Sequence, residues 1–140
     1  MEERREEEWG KTKFIGHFSS LFPLPSSVFL KRSIMPTIDE FKNFQFVVAQ
    51  IKEVKEHPNA DRLYVLKVDT GTEVKQLVAG IRKSYTPEQL IGRRVIIVNN
   101  LEPAVIRGEE SRGMILAASD ENGISVLSPD RDVVLGSIVK

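Results

Sequence analysis

Residues 86–99 read TPEQLIGRRVIIVN, and their order decides the fold. Thr86 is suited to cap a helix and Pro87 to open it, because the first helical position has no use for an N–H. Gly92 is suited to stop that helix soon after it starts. Arg93-Arg94-Val95-Ile96-Ile97-Val98-Asn99 follows at once and is the most β-rich segment of the chain. A short helix set directly before such a strand is an insertion in a β protein, so the strands on either side become the question.

Upstream, Phe46-Val47-Val48-Ala49-Gln50-Ile51-Lys52-Glu53-Val54 passes from an apolar run into alternation. His57-Pro58-Asn59-Ala60-Asp61 supplies turn residues. Leu63 to Asp69 carries apolar side chains at both parities, as in a strand partly covered on both faces. Thr70-Gly71-Thr72 fits a hairpin turn, and Val74 to Ala79 returns from it. Downstream, Met114 to Ala118, Ile124 to Leu127 and Gly136 to Val139 read as further strands. About five core strands, with a short helix between the third and fourth, predict an all-β, five-stranded Greek-key barrel of the OB type. Closure would also remove exposed strand edges. A β-sandwich competes, but it asks for more strands and usually no inserted helix.

Thr37-Ile38-Asp39-Glu40 is a capping box: the Thr37 hydroxyl can accept from a backbone N–H, and the Glu40 carboxylate can reach back to the Thr37 N–H. A short amino-terminal helix is expected there, with Phe41 and Phe44 on one side. Residues 1–34 differ in character. MEERREEEW is a charge block of the kind that stays solvated, and the apolar segment after it is broken by Pro23 and Pro25. A secretory signal would place basic residues first and an unbroken apolar stretch after them. Residues 1–34 are therefore expected to be a disordered or extraneous extension, with Met35 as the natural start and residues 36–140 as the folded domain.

The 20 basic and 20 acidic residues cancel, which argues against a strongly basic nucleic-acid binder but leaves room for a local basic face. The absence of cysteine excludes disulfides, thiolate metal sites and cysteine nucleophiles. His17 and His57 have no metal-ligand spacing, so no metal is expected. With no glycine-rich nucleotide loop and no paired catalytic acids, neither catalysis nor a cofactor is expected. No apolar run reaches the roughly 18 residues of a membrane span. Without cysteines or an export signal, a cytoplasmic location with no membrane partner is expected.

A series of motifs runs in order through the body of the chain. They are Val47-Val48-Ala49-Gln50-Ile51, His57-Pro58-Asn59-Ala60-Asp61-Arg62-Leu63, Val68-Asp69-Thr70-Gly71, Val78-Ala79-Gly80-Ile81, Gly92-Arg93-Arg94-Val95 and Asn99-Asn100-Leu101. Arg107-Gly108, Ser111-Arg112-Gly113-Met114-Ile115-Leu116-Ala117-Ala118, Leu127-Ser128-Pro129 and Leu135-Gly136-Ser137 complete it. The series resembles the tRNA-binding OB-fold domain found at the carboxyl end of bacterial methionyl-tRNA synthetases. That domain also stands alone in structure-specific tRNA-binding proteins and in the archaeal methionyl-tRNA synthetase beta subunit. The resemblance covers essentially residues 37–140. Three departures stand out: Leu135 where many relatives have proline, no hydroxyl in Val78-Ala79-Gly80, and two acids, Glu109 and Glu110, beside the expected RNA face.

The resemblance implies a non-catalytic tRNA-binding module that raises a synthetase's affinity for tRNA. Its implied partners are tRNA, the methionyl-tRNA synthetase catalytic chain and a second copy, the homodimer being built from the carboxyl-terminal strands and the segment near residues 37–45. It further implies that Ser111 and Met114 contact tRNA. The residue types supply reasons. Arg107 and Arg112 offer charge and planar donors to phosphates, and Ser111 offers a hydroxyl to a phosphate or 2′-hydroxyl. Met114 is a flexible apolar contact, and Asn99 and Asn100 bring amides to a position just before the flexible, arginine-studded loop expected ahead of the strand that starts at Met114. Arg82, Lys83 and Arg93 complete the expected set. On this reading, Ser111→Ala combined with Met114→Ala weakens tRNA binding at an unchanged melting temperature.

Within residues 75–112, seven basic residues stand against four acidic ones, a surplus of three in a chain of zero net charge. Such a patch supports modest, salt-sensitive binding. Few aromatics, Tyr64 and Tyr85 among them, are placed to stack bases, so recognition of shape and backbone over sequence is expected. Each residue also has a plainer reading: Met114 as core packing, Asn99 as a cap on loop backbone, and Arg82, Lys83 and Arg93 as solvated surface. His57 is expected to bond its own turn. A free-standing tRNA-binding or chaperone protein, a protein-interaction module and a single-stranded DNA binder are the alternatives, and the last would show more exposed aromatics.

Overall fold

The computed structural model describes residues 35–140, and the expectations for residues 1–34 lie outside the described residues. The chain divides into two units between Asn43 and Phe44. Among the described residues of the first, α1 (Ile38–Phe41) is the expected short helix. Its capping box forms as the sequence dictates: Glu40 N donates to Thr37 Oγ1 at 3.1 Å and Thr37 N donates to Glu40 Oε1 at 2.7 Å.

The second unit is nearly all β. Its long first strand, β1 (Phe46–Glu56), serves two partners. Phe46 to Gln50 pair with β4 (Arg94–Val98), and Gln50 to Glu56 pair with β2 (Tyr64–Asp69). The register slips between Ile51 and Glu53, and such a bulge bends a strand enough to let it pass from one side of a barrel to the other. β3 (Val74–Ala79) returns antiparallel to β2. β7 (Met114–Ile115) lies against β4. The resulting order, β3-β2-β1-β4-β7, comes close to closing, with Arg112 N donating to Gln76 O at 2.8 Å between its two ends. The outcome is the expected five-stranded antiparallel OB-like barrel.

Alternation fills the barrel. Val47, Ala49, Ile51, Leu66, Val68, Leu77, Val95 and Ile97 are part of the core, each buried valine, leucine or isoleucine side chain contributing roughly 1.5–3 kcal/mol. α2 (Pro87–Leu90) is the helix expected between the third and fourth strands, and its Leu90 joins that core. Gly92 N then donates to Ile51 O at 2.7 Å, which fixes the entry to β4. Val65 and Val78 point the other way and are nonetheless buried, so this sector is covered outside as well as filled inside.

Three elements refine the strand expectations. β5 (Ala104–Ile106) and β6 (Glu109–Ser111) form a hairpin where the sequence suggested a flexible loop. The segment expected as one strand from Met114 to Ala118 breaks at Leu116, whose N–H goes to Ile96 O and whose carbonyl accepts from Leu127 N. β8 (Ala117–Asp120) therefore leaves the barrel and pairs with β9 (Gly123–Val126). β10 (Ile138–Val139) returns to β1. The Leu135-Gly136-Ser137 motif docks it, through Gly136 N to Val48 O at 2.7 Å and Val48 N to Ser137 O at 3.0 Å.

Candidate nucleic-acid interface

The β5–β6 hairpin carries two of the nine expected RNA-binding residues, Arg107 at its turn and Ser111 at its base, and Arg112 follows it directly. Its strands are joined by two residues, Arg107 and Gly108, at φ 51° and 95°. A tight hairpin turn asks for positive φ at both central positions. Glycine takes that geometry freely, and arginine rarely does. The tip is braced from the β1–β2 loop. The His57 ring is buried, its Nε2 lies 3.0 Å from Ile106 O, and its Nδ1 accepts from Asn59 N at 2.9 Å. Asn59 Nδ2 adds a long contact of 3.5 Å to Arg107 O.

The base of the hairpin corrects the reading of Ser111. Its side chain is fully buried. The hydroxyl accepts from Val78 N at 3.0 Å and donates to Gly113 O at 3.0 Å, both inside the fold. An extended backbone explains this: Glu110 and Arg112 are exposed while Ser111 and Gly113 are buried, as the two-residue period of a strand requires. Ser111 fastens the hairpin to β3, and its hydroxyl is turned away from the surface. Gln76 adds to the seam by donating to Glu110 O at 2.9 Å. Arg112 is exposed beside it, and Met114 is half-buried where β7 pairs with Val98.

Asn99 is also occupied. Its Oδ1 accepts from Lys75 Nζ at 2.9 Å and its Nδ2 donates to Gln45 Oε1 at 2.7 Å. Lys75 Nζ reaches Asn99 O at 2.7 Å, and Gln45 N donates to Asn100 Oδ1 at 2.9 Å. The amide expected to read a ligand thus anchors a polar network where β3, β4 and the start of β1 meet, while Asn100 remains exposed at its rim. Lys75, Gln76 and Gln45 are the residues that the sequence reading left out. The alternation Lys75, Leu77, Ala79 would have turned Lys75 inward.

Burial pushes the Lys75 pKa below its usual 10.5, with Glu73 acting against the shift and Arg112 reinforcing it. The sign follows from proton counting. Between the lowered folded value and 10.5 the unfolded chain holds the proton that the folded chain has lost, so stability rises with pH there. Below that window the cost of burying the charge is present in full. The difference in urea midpoint between the natural chain and Lys75→Met is expected to move in favour of the natural chain as pH climbs through the window. A flat difference would show that the ammonium is not desolvated.

The remaining expected residues lie apart from this face. Arg82 Nη2 pairs with Glu56 at 3.1 Å and Nη1 donates to Ala60 O at 3.2 Å, so the guanidinium braces the β1–β2 loop. The Arg93 guanidinium sits 5.5 Å from the Tyr85 ring centroid, in a cation–π contact two positions from exposed Lys83. Arg93 and Asn99 flank β4 six positions apart, about 20 Å along a strand. The structure therefore gathers Arg112, Met114, Asn99 and Asn100 at one end, sets Arg107 at the braced tip, and leaves Lys83 and Arg93 at the other end of β4. Among the described residues no group of acidic residues and histidines could hold a metal ion, and no helix is long and apolar enough to cross a membrane.

Known proteins carry the same barrel. A family model described as "Putative tRNA binding domain" matches residues 46–138. The methionine–tRNA ligase of Thermococcus kodakarensis is 53% identical over 104 residues, covering 74% of this chain. The chain spans about 14% of the length of that ligase. The solved methionyl-tRNA-synthetase-related protein of Pyrococcus horikoshii is 34% identical with a TM-score of 0.71, covering 76% of this chain and 98% of that one. The CsaA chaperone protein of Picrophilus torridus superposes with a TM-score of 0.71 at 29% identity, covering 76% of this chain and 100% of that one. With the family model spanning the barrel from β1 to β10, the chain belongs to the tRNA-binding domain family.

Proposed function

We propose that the barrel is a non-catalytic module that binds tRNA by shape and backbone and raises the affinity of a methionyl-tRNA synthetase catalytic chain for its tRNA. The observation that carries the reading is the match of the tRNA-binding domain model to residues 46–138, the whole barrel. The relationship to methionine–tRNA ligases supports the choice of partner. The face offered to RNA comprises Arg112, Met114 and Asn100, with Arg107 at the hairpin tip. Arg112 supplies a planar donor for phosphate, and half-buried Met114 supplies an adaptable apolar contact. Lys83 and Arg93 form a second cationic area. Buried Ser111 and bonded Asn99 support this face from behind. Glu109 and Glu110 temper its charge, which fits modest affinity.

A homodimer is part of the proposal. Exposed Phe44, Val105, Leu127, Val134 and Ile138 give the second unit apolar surface for a partner, and two copies would raise tRNA affinity by linkage.

In gel shifts at low salt, folded tRNA is expected to be bound in preference to single-stranded DNA of equal length, with affinity falling steeply as salt rises. No preference for tRNA would sink the reading. The likeness to a chaperone of the same fold supports a second reading, in which the chain acts alone on unfolded proteins. Suppression of the aggregation of a denatured reporter enzyme, without tRNA binding, would favour it.

A further inference from the structure

We propose that His57 is a positioning residue for tRNA binding: a neutral imidazole, protonated at Nε2, that ties the β1–β2 loop to the β5–β6 hairpin and sets the turn carrying Arg107. The inference rests on the reading above, in which Arg107 meets an RNA phosphate.

The tautomer follows from the hydrogen bonds. Asn59 N–H has a proton to give and His57 Nδ1 receives it at 2.9 Å. Nδ1 therefore carries no proton, and the ring's N–H is at Nε2. That group faces the Ile106 carbonyl at 3.0 Å, across 49 residues of sequence. Ile106 is the last residue before the turn, and both are buried.

A two-stranded hairpin with three residues on each side does not hold itself together in water. It needs ties to the barrel. Ser111 and Gln76 supply them at the base. At the tip the ties are His57 and Asn59, acting on a turn in which Arg107 adopts φ 51°. The loop that offers them is itself anchored to the segment that follows β3 by Arg82, through Glu56 and Ala60. Contacts thus run from that segment through Arg82 and the loop to His57 and the hairpin tip. A tip held this way binds with less ordering cost than a free one.

Two near-isosteric variants separate the two ring nitrogens. His57→Asn places an amide oxygen near the Nδ1 position and keeps the bond from Asn59 N–H, but it is too short to reach Ile106. His57→Gln can place an amide nitrogen near the Nε2 position and keep the tie to the hairpin. With a folded tRNA transcript titrated across about 50–200 mM salt, Arg107→Ala is expected to weaken binding about five- to tenfold and to lower the salt slope by about one. His57→Asn is expected to do the same, and the double variant to bind no more weakly than either single one. His57→Gln is expected to stay within about twofold of the natural chain.

Additive losses overturn the proposal, as do equal losses in both His57 variants or full binding by His57→Asn where Arg107→Ala is impaired. If Arg107→Ala binds normally in a chain that binds tRNA, the role of Arg107 falls and takes the proposal with it. Should His57→Asn fail to fold, His57→Leu, which fills the buried space without either ring nitrogen, takes its place. It is expected to lower the salt slope by about one, and an unchanged slope overturns the proposal.

Discussion

Gly113→Ala is expected to cost about 3 kcal/mol of folding stability and to lower the melting temperature by on the order of 15 °C. A Cβ at this position would stand 2.9 Å from Val98 O and 2.9 Å from Leu77 Cδ2. Neither neighbour can yield cheaply. Val98 is the last residue of β4, paired with Phe46 on one side and Met114 on the other, so its carbonyl moves only if the barrel moves. Leu77 is fully buried in the core, and core side chains pushed off their rotamers cost about 1–3 kcal/mol. The backbone at Gly113, with φ 153°, is also one that a side chain disfavours. The strain falls at the seam, beside the bond from Arg112 N to Gln76 O, so loss of the β3–β7 closure should accompany loss of stability. Urea and thermal melts check this. A melting point within a few degrees of the natural chain would show that the seam has room to spare.

The barrel was legible because its signals are local. Thr86 and Pro87 announce α2, Thr37 and Glu40 announce α1, and the apolar parity of β1 to β4 follows from which face fills the core. The hairpin was not legible. Ala104-Val105-Ile106 is too short to read as a strand, Glu109-Glu110-Ser111 has no β-forming character, and Arg107-Gly108 lacks the usual asparagine of a tight turn. Without the hairpin, Arg107, Ser111 and Arg112 look like neighbours on one loop, although a strand sends adjacent side chains to opposite faces. The charge at Glu110 and Arg112, alternating with the small residues Ser111 and Gly113, was the available clue. The network around Asn99 was missed for a different reason. Its partners Lys75 and Gln45 lie 24 and 54 residues away, and no local pattern reports a contact of that range.

Ser111→Ala reverses the outcome that the sequence suggested. A surface hydroxyl would be lost with no change in melting temperature and a drop in tRNA binding. A buried one has the opposite signature. Its removal strips the Val78 N–H of its acceptor and the Gly113 carbonyl of its donor, both within the closed seam. A buried backbone group left without a partner costs about 1–3 kcal/mol, which for a domain of this size lowers the melting temperature by roughly 5–15 °C. The methyl that alanine retains cannot recover either bond, and no water can enter without opening the seam between β3 and β6. Well below the transition the hairpin keeps its backbone bond to Gln76 and its ties at the tip, so tRNA binding should stay within about twofold of the natural chain. Arg112→Ala, one residue on and exposed, is expected to give the mirror image: an unchanged melting point, affinity down about fivefold, and a salt slope shallower by about one. Paired melts and salt titrations on the two variants decide between the faces. Weak binding with an intact melting point in Ser111→Ala would return its hydroxyl to the RNA surface.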